Sequence, residues 1–286
     1  MSKKIKKAVV AVAGSGTRLL PATKAQPKEM LPIVDKPIIQ LVVEELVEAG
    51  IEDIIFVTRW DKKSLEDHFD HSLALEHDLK KNGKDELSQA MKDLAEMANF
   101  VYVRQKGPYG NGTPVLSAAS LVDDEPFVFA WGDDLVKSEV SFTKQMVEDY
   151  EKNQNLMIGV QEVPKEEVCK YGICNLVEGS TQIEDIVEKP SVEEAKSQLA
   201  DFGRMILNQE IIDVLKETAL GKGNELWITD AIRKYIQDGG KFYAKKVEDG
   251  QWLTTGDPMN YLKTMLTYAV EREDIGAKLK KYMKSL

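Results

Sequence analysis

Short apolar runs rich in β-branched residues recur along this chain, at residues 7–13, Ile54–Thr58, Phe100–Arg104, Phe127–Ala130 and Met157–Val160, with amphipathic or charged stretches between them. Runs of this length are strand-sized. Their alternation with helix-period segments is the pattern of a layered α/β sheet covered by helices. At 286 residues the chain lies near the upper limit for one hydrophobic core, so the expectation is a single domain over residues 1–286.

Between the first two runs, Ile38, Ile39, Val42, Val43, Leu46 and Val47 recur at helical spacing, while Glu44, Glu45 and Glu48 fill the other face. Asp35 and Pro37 mark the start of this helix and Gly50 its end. Residues 63–98 are strongly charged, with a turn at Asn82-Gly83-Lys84, and read as a helical excursion on the sheet's edge, because no heptad is sustained. Tyr171–Val177 and Gln182–Glu188 flank a Glu178-Gly179-Ser180-Thr181 turn and read as a β-hairpin beside the sheet. A strand at Arg204–Leu207, a helix over Trp227–Ile236 and a strand near Phe242–Val247 follow. Residues 258–286 form a C-terminal helical portion, with one helix from Pro258 to about Arg272 and a basic, solvated one at Lys278–Lys284.

A formal charge of −10 argues against nucleic-acid binding, which draws on clustered Lys and Arg. Any phosphate site must be local. Cys169 and Cys174 stand without a Cys or His cluster, so they predict two buried free thiols in a reducing cytosol rather than a disulfide or a zinc site. The basic start, MSKKIKK, followed by Ala8–Ala13, mimics a signal peptide, but the apolar run is short and a Gly-rich segment follows at once, which a buried first strand explains better. No stretch approaches the roughly 20 apolar residues of a membrane span. A cytoplasmic protein without a membrane partner is expected.

The first strand runs into Gly14-Ser15-Gly16-Thr17-Arg18. Glycines let a backbone approach phosphate closely and turn its N–H groups toward it. A dinucleotide fingerprint would need a third Gly where Leu19 stands, and there is no Walker Gly-Lys-Ser/Thr. Arg18 and Lys28 add a planar fork and a point charge, which would complete a triphosphate cradle. A mere strand-to-loop turn explains the glycines equally well. Gly132-Asp133-Asp134 follows an apolar strand, a common structural turn that can also present a carboxylate to Mg²⁺. His68, His71 and His77 all fall in the charged excursion and read as solvated surface residues.

Gly14-Ser15-Gly16-Thr17-Arg18, with Pro21, Thr23, Lys28, Pro32 and Lys36-Pro37, resembles the N-terminal signature of the sugar-nucleotide pyrophosphorylases. The run through Pro21-Ala22-Thr23-Lys24 and Lys28–Pro37 is closer still to bacterial-type UTP–glucose-1-phosphate uridylyltransferases, as is the excursion at 67–96. The resemblance continues through Val103–Lys106, Gly132-Asp133-Asp134, Tyr171-Gly172-Ile173, Val187-Glu188-Lys189-Pro190, Gly203-Arg204 and Thr229–Ile232, essentially the whole chain. It implies a Rossmann-like nucleotidyltransferase fold: a doubly wound, mixed, mostly parallel sheet with a β-hairpin and C-terminal helices. The implied reaction joins UTP to glucose 1-phosphate with Mg²⁺, releasing pyrophosphate, in a homodimer or homotetramer.

By the same resemblance, Arg18 and Lys28 serve the triphosphate, with Ala13, Gly14, Gly16, Gln105 and Gly110 around the nucleotide. Gln105 offers a pyrimidine ring both a donor and an acceptor. Lys189 serves the sugar phosphate, with Glu188, Gly172 and Asp134 at the sugar, and Asp133 holds the metal. Several positions depart from the family pattern: Gly110-Asn111-Gly112-Thr113-Pro114, Trp131, Arg59-Trp60, and Thr254 where a second metal-binding Asp is common. Asp257 is the candidate to replace it, although Asp followed by Pro258 is also a helix-start signal. The alternatives are dTTP or another sugar 1-phosphate, and a non-catalytic sugar-nucleotide sensor. A nicotinamide dehydrogenase is disfavoured by the interrupted glycine pattern.

Overall fold

The structure is a computed structural model and describes residues 4–286. Met1, Ser2 and Lys3, the front of the basic stretch weighed as a leader, lie outside the described residues. In chain order the elements are β1 (Lys7–Ala11), β2 (Pro32–Ile33), β3 (Lys36–Pro37), α1 (Ile38–Glu48), β4 (Asp53–Thr58), α2 (Lys63–His68), α3 (Leu73–Lys81), α4 (Asp85–Glu96), β5 (Asn99–Arg104), α5 (Thr113–Val122), β6 (Phe127–Trp131) and β7 (Asp134–Ser138). There follow α6 (Phe142–Asn153), β8 (Met157–Glu162), β9 (Gly172–Leu176), β10 (Ile183–Glu188), β11 (Leu199–Leu207), α7 (Gln209–Lys216), α8 (Ile228–Gln237), β12 (Tyr243–Lys246), β13 (Gly250–Thr254), α9 (Pro258–Ala269) and α10 (Gly276–Met283).

Nine strands of the described residues form one mixed sheet, ordered β10-β9-β11-β6-β1-β4-β5, with β8 branching from β11 and β12 pairing with β8. Parallel pairing runs through β6, β1, β4 and β5. The long strand β11 pairs antiparallel with β6, β8 and β9, and its register shifts between Asp201 and Met205. The parallel strands read as continuous apolar runs because both their faces are covered. Val9, Val10, Ile54, Phe56, Phe127 and Phe129 are all buried. From β1 the chain crosses through α1 to β4 on one side, and from β5 it returns through α5 to β6 on the other. Right-handed crossovers running in opposite directions put these helices on opposite faces, so the sheet is doubly wound. The hairpin β9–β10 extends the sheet's edge, and the charged excursion folds as α2, α3 and α4.

The expected elements include no helix at α5, α6 or α7 and no strand at β7 or β13. Of these, α6 is written plainly: Phe142, Thr143, Met146, Val147 and Tyr150 are buried on one face, and the Ser141 side chain caps it by accepting from Lys144 N. The ribbon β7–β13 has only five paired positions, too short for a periodic signal. Asp35 does not cap α1 but pairs with Arg272.

Two expectations about side chains need correcting. Cys174, on a central strand of the hairpin arm, is buried, whereas Cys169 falls on the short turn before it and is exposed. His71 and His77 are exposed, but His68 is half-buried, its Nε2 3.1 Å from Gln40 Oε1 and its ring edge-on to Phe69. Among the described residues no helix is long and apolar enough to cross a membrane.

Candidate active site

The outgoing connections of β1 and β6 diverge, so the carboxyl ends of these neighbouring strands form a switch point, where open α/β sheets receive ligands. Gly14-Ser15-Gly16 leaves β1 there and Gly132-Asp133 leaves β6. Lys28 bridges the two. Its stem lies on the glycines: a Cβ on Gly14 would come 3.3 Å from Lys28 Cε, and one on Gly16 3.3 Å from Lys28 Cβ. Its Nζ meets Asp133 Oδ2 at 2.6 Å. Burial works against this ammonium, but the Asp133, Glu29 and Asp134 carboxylates outweigh it and raise the Lys28 pKa, so the cation is secure.

Behind Lys28, the fully buried Glu29 pairs with Lys62 at 2.7 Å. Both lysines line an open pocket of about 320 Å³ with Gly14, Ser15, Thr23 and the exposed Trp60. Arg18 stands exposed on the other side of the loop, its Nη1 3.5 Å from where a Cβ on Gly256 would sit.

Asp134 opens β7 opposite Thr254 of β13, and Trp252 Nε1 donates to its Oδ1 at 2.7 Å. Burial and the neighbouring Asp133 push Asp134 up to about 7. Asp257 caps α9: its Oδ1 accepts from Met259 N at 3.1 Å and Asn260 N at 3.0 Å, and its Oδ2 accepts from Asn260 Nδ2 at 2.7 Å. Partial burial acts to raise this carboxyl, but those bonds prevail and hold it below the usual range.

Trp252 also meets Tyr171 edge-on, ring centroids 5.1 Å apart, and Tyr171 leads into the hairpin. At the same end of the hairpin, paired with Gly172, Glu188 accepts from Thr229 Oγ1 at 2.9 Å and lies 3.5 Å from Lys189 Nζ. Burial pushes Glu188 up against the pull of Lys189 and Thr229. Lys189 has φ 45°, a left-handed conformation uncommon outside Gly and Asn, and its ammonium sits 3.9 Å from the centre of the Trp227 ring. Such an outlier held by its surroundings is typical of functional positions. Gly172 lies beside it, and a Cβ there would fall 2.2 Å from Asp201 Oδ2.

A family model described as nucleotidyl transferase matches residues 7–271. The chain belongs to this family. It is similar to the UTP–glucose-1-phosphate uridylyltransferase YngB of Bacillus subtilis strain 168, with 44% identity across 100% of this chain and 97% of that protein. Among solved structures it is similar to a UTP-bound UGPase from Acinetobacter baumannii, with a TM-score of 0.89 and 38% identity over 99% of both chains. It is also similar to a UDP-glucose pyrophosphorylase complexed with UDP-glucose, with a TM-score of 0.84 and 41% identity over 94% of this chain and 100% of that one.

Within this nucleotidyl transferase, the fold brings together Ala13, Gly14, Gly16, Lys28, Asp133 and Asp134 at the ends of β1 and β6, and Gly172, Glu188 and Lys189 at the open end of the hairpin. Arg18 lies near both Asp257 and Tyr171; its charge adds to the hydrogen bonds that lower Asp257, while burial raises Tyr171 in spite of it. Gln105 ends β5 on the same carboxyl edge, its backbone N–H donating to Thr58 O at 2.8 Å. Gly110 has a structural reason of its own, because a Cβ would fall 2.1 Å from Leu226 O.

The sequence reading did not single out Lys62 and its partner Glu29, Trp227 beneath Lys189, or Asp201. An acid inside the apolar stretch Leu199-Ala200-Asp201-Phe202 was the available signal for the last. Trp131, noted for its bulk, turns its ring onto Gly203, where a Cβ would lie 1.9 Å from ring carbon Cδ2.

Proposed function

We propose that the chain transfers a uridylyl group from UTP to glucose 1-phosphate, giving UDP-glucose and pyrophosphate. The observation that carries this reading is the pair of lysine–carboxylate couples, Lys28–Asp133 and Lys189–Glu188, linked by a line of contacts through Asp134, Trp252 and Tyr171. Two polyanions must meet for the reaction, and each couple supplies a fixed cation. A phosphate oxygen of glucose 1-phosphate bonds to the α-phosphorus as the bond to the β-phosphoryl oxygen breaks, and pyrophosphate leaves. Positioning and charge neutralisation are then the main tasks, without a covalent enzyme intermediate.

Lys28 and Arg18 hold the triphosphate over Ala13, Gly14 and Gly16. Lys189 holds the sugar phosphate, while Glu188 accepts from sugar hydroxyls and Gly172 lets the sugar lie close. Gln105 faces the uracil edge, with Gly110 beside the base. Asp134, tied to Trp252 and raised toward neutrality, borders the sugar.

Mg²⁺ fits the donor set, since it takes one or two carboxylates together with phosphate oxygens, and Asp133 is a carboxylate countered by a single ammonium at 2.6 Å. Held by Asp133, the ion would neutralise charge on the departing pyrophosphate. The capping bonds of Asp257 favour its role as a helix start over that of a second ligand. The free thiols Cys169 and Cys174 are in keeping with a cytoplasmic enzyme, and the family resemblance with a homodimer or homotetramer.

Pyrophosphate release with UTP, glucose 1-phosphate and Mg²⁺ tests the reading. UTP should far outcompete ATP and GTP. Activity confined to dTTP or to another sugar 1-phosphate would keep the chemistry and change the substrate, and binding of UDP-glucose without turnover would make the protein a sensor.

A further inference from the structure

In the stretch Leu199-Ala200-Asp201-Phe202 of β11, Asp201 is the polar residue, and it is fully buried. Its Oδ1 accepts from Gly203 N at 3.2 Å, while Oδ2 finds no donor among the described residues. A buried carboxylate oxygen without a partner is strongly destabilising, so one in a well-packed site calls for an explanation. Gly172 locates it. A Cβ there would lie 2.2 Å from Asp201 Oδ2 and 3.3 Å from Glu188 Oε2, so the two carboxyl groups converge on the space that glycine leaves open. The register shift that starts at Asp201 aims it there, as bulges beside active sites do.

Two carboxyl groups that border one glycine-sized gap, with one cation nearby, disfavour ionisation of both. Lys189 is 3.5 Å from Glu188 Oε1, so the charge stays on Glu188. Burial, and then Glu188 itself, drive Asp201 well above the ordinary carboxyl range. We propose that Asp201 is a positioning residue: as a neutral carboxylic acid it donates its Oδ2 proton to Glu188 Oε2 and fixes the carboxylate that receives the sugar. With Thr229 Oγ1 at 2.9 Å and Lys189, Asp201 completes a three-point hold on Glu188. It also explains why position 172 is glycine. The inference rests on the reading that Glu188 lines the sugar site.

Asparagine is the informative replacement, since its carbonyl can accept from Gly203 N while its amide donates to Glu188, with no proton to lose. The charged and titratable groups facing Asp201 are Glu188 and Lys189 from the hairpin end, Asp134 from β7 and the Cys174 thiol from β9.

The experiment compares wild type, Asp201→Asn and Asp201→Leu in steady-state kinetics from about pH 6 to about pH 10, with thermal melts confirming that each is folded. Asp201→Leu should raise the KM for glucose 1-phosphate by about tenfold with the KM for UTP unchanged, the size expected for one lost bond to a charged group. Asp201→Asn should stay within about threefold of wild type at neutral pH. It should also lack the alkaline rise in sugar-phosphate KM that wild type shows as Asp201 ionises.

A folded Asp201→Leu with wild-type constants, or an Asn variant that keeps the alkaline rise, overturns the proposal. If Asp201→Leu does not fold, the Asn pH profile decides alone. Should wild type release no pyrophosphate from these substrates, the functional reading falls. Calorimetric binding of UDP-glucose to the same proteins then decides the role of Asp201, with equal affinities, or none in wild type, overturning it.

Discussion

In the proposed reading the site has a phosphate side and a sugar side, and the two are built differently. The phosphate side comes from one continuous segment, Gly14 to Lys28, laid over the ends of two parallel strands. The sugar side is assembled from Gly172, Glu188, Lys189, Asp201 and Thr229, which three antiparallel strands and the start of α8 bring together. Both sides bury part of their polar set: Asp201 and Thr229 on the one, Asp133, Asp134 and the Glu29–Lys62 pair on the other. In the proposed reading the phosphate side offers Arg18 and Lys28, two cations from one loop, as suits a heavily charged ligand. The sugar side would offer carboxyl groups that burial pushes toward their neutral form.

The sharpest way to break this contrast is at the metal. Asp133→Ala should cost about 3 kcal/mol in the barrier, over a hundredfold in kcat, and weaken the dependence on Mg²⁺, read by kcat against metal concentration. An unchanged Mg²⁺ response would remove Asp133 from the phosphate side's chemistry. Next comes Lys189→Ala, which should raise the KM for glucose 1-phosphate by roughly 1.5–3 kcal/mol, the worth of a bond between charged groups, and leave UTP binding nearly untouched. Loss of UTP affinity instead would mean that the two sides do not divide the substrates.

A smaller effect is expected at Asp257. Its replacement by Ala removes the cap of α9, with a stability loss of about 1 kcal/mol by denaturant titration, while kcat and the Mg²⁺ response of the folded enzyme stay as they were. A collapse of kcat would restore it as a metal ligand.

The smallest signal concerns Asp134. Its carboxyl titrates near about 7 in the fold against an ordinary 3.8, so the folded state binds the extra proton between those values. Stability contributed by the neutral form is present below about 4 and is lost as pH rises toward 7. Asp134→Asn should flatten that decline in thermal melts across the window, and an identical decline in the variant would put its origin elsewhere.

Much of this was legible in the sequence, and what was not has physical reasons. The parallel strands showed because burial on both faces makes them unbroken apolar runs. The phosphate loop showed because its glycines and lysine are contiguous. The helix α5, Thr113–Val122, was obscured by the Gly110–Pro114 stretch, which reads as loop, although Pro114 stands where a helix start accepts proline. The Glu29–Lys62 pair has its partners 33 positions apart and cannot be read from spacing. Whether Asp257 caps or ligates was undecidable from Asp-Pro alone, because both roles need the same carboxylate. Three-dimensional packing also separated Cys169 from Cys174.

The contact between Trp131 and Gly203 gives the two halves a mechanical relation. Gly203 has φ 68°, and the space its side chain would need is filled by the indole. The ring belongs to the last residue of β6, two positions before Asp133, and Gly203 lies two positions after Asp201. Tongue and groove therefore register the cation end of one strand against the bend in the other. Even a methyl group at 203 would have to lever the indole outward and carry the Gly132-Asp133 turn with it, so the separation of the two halves of the proposed site is set by how closely two backbones interlock.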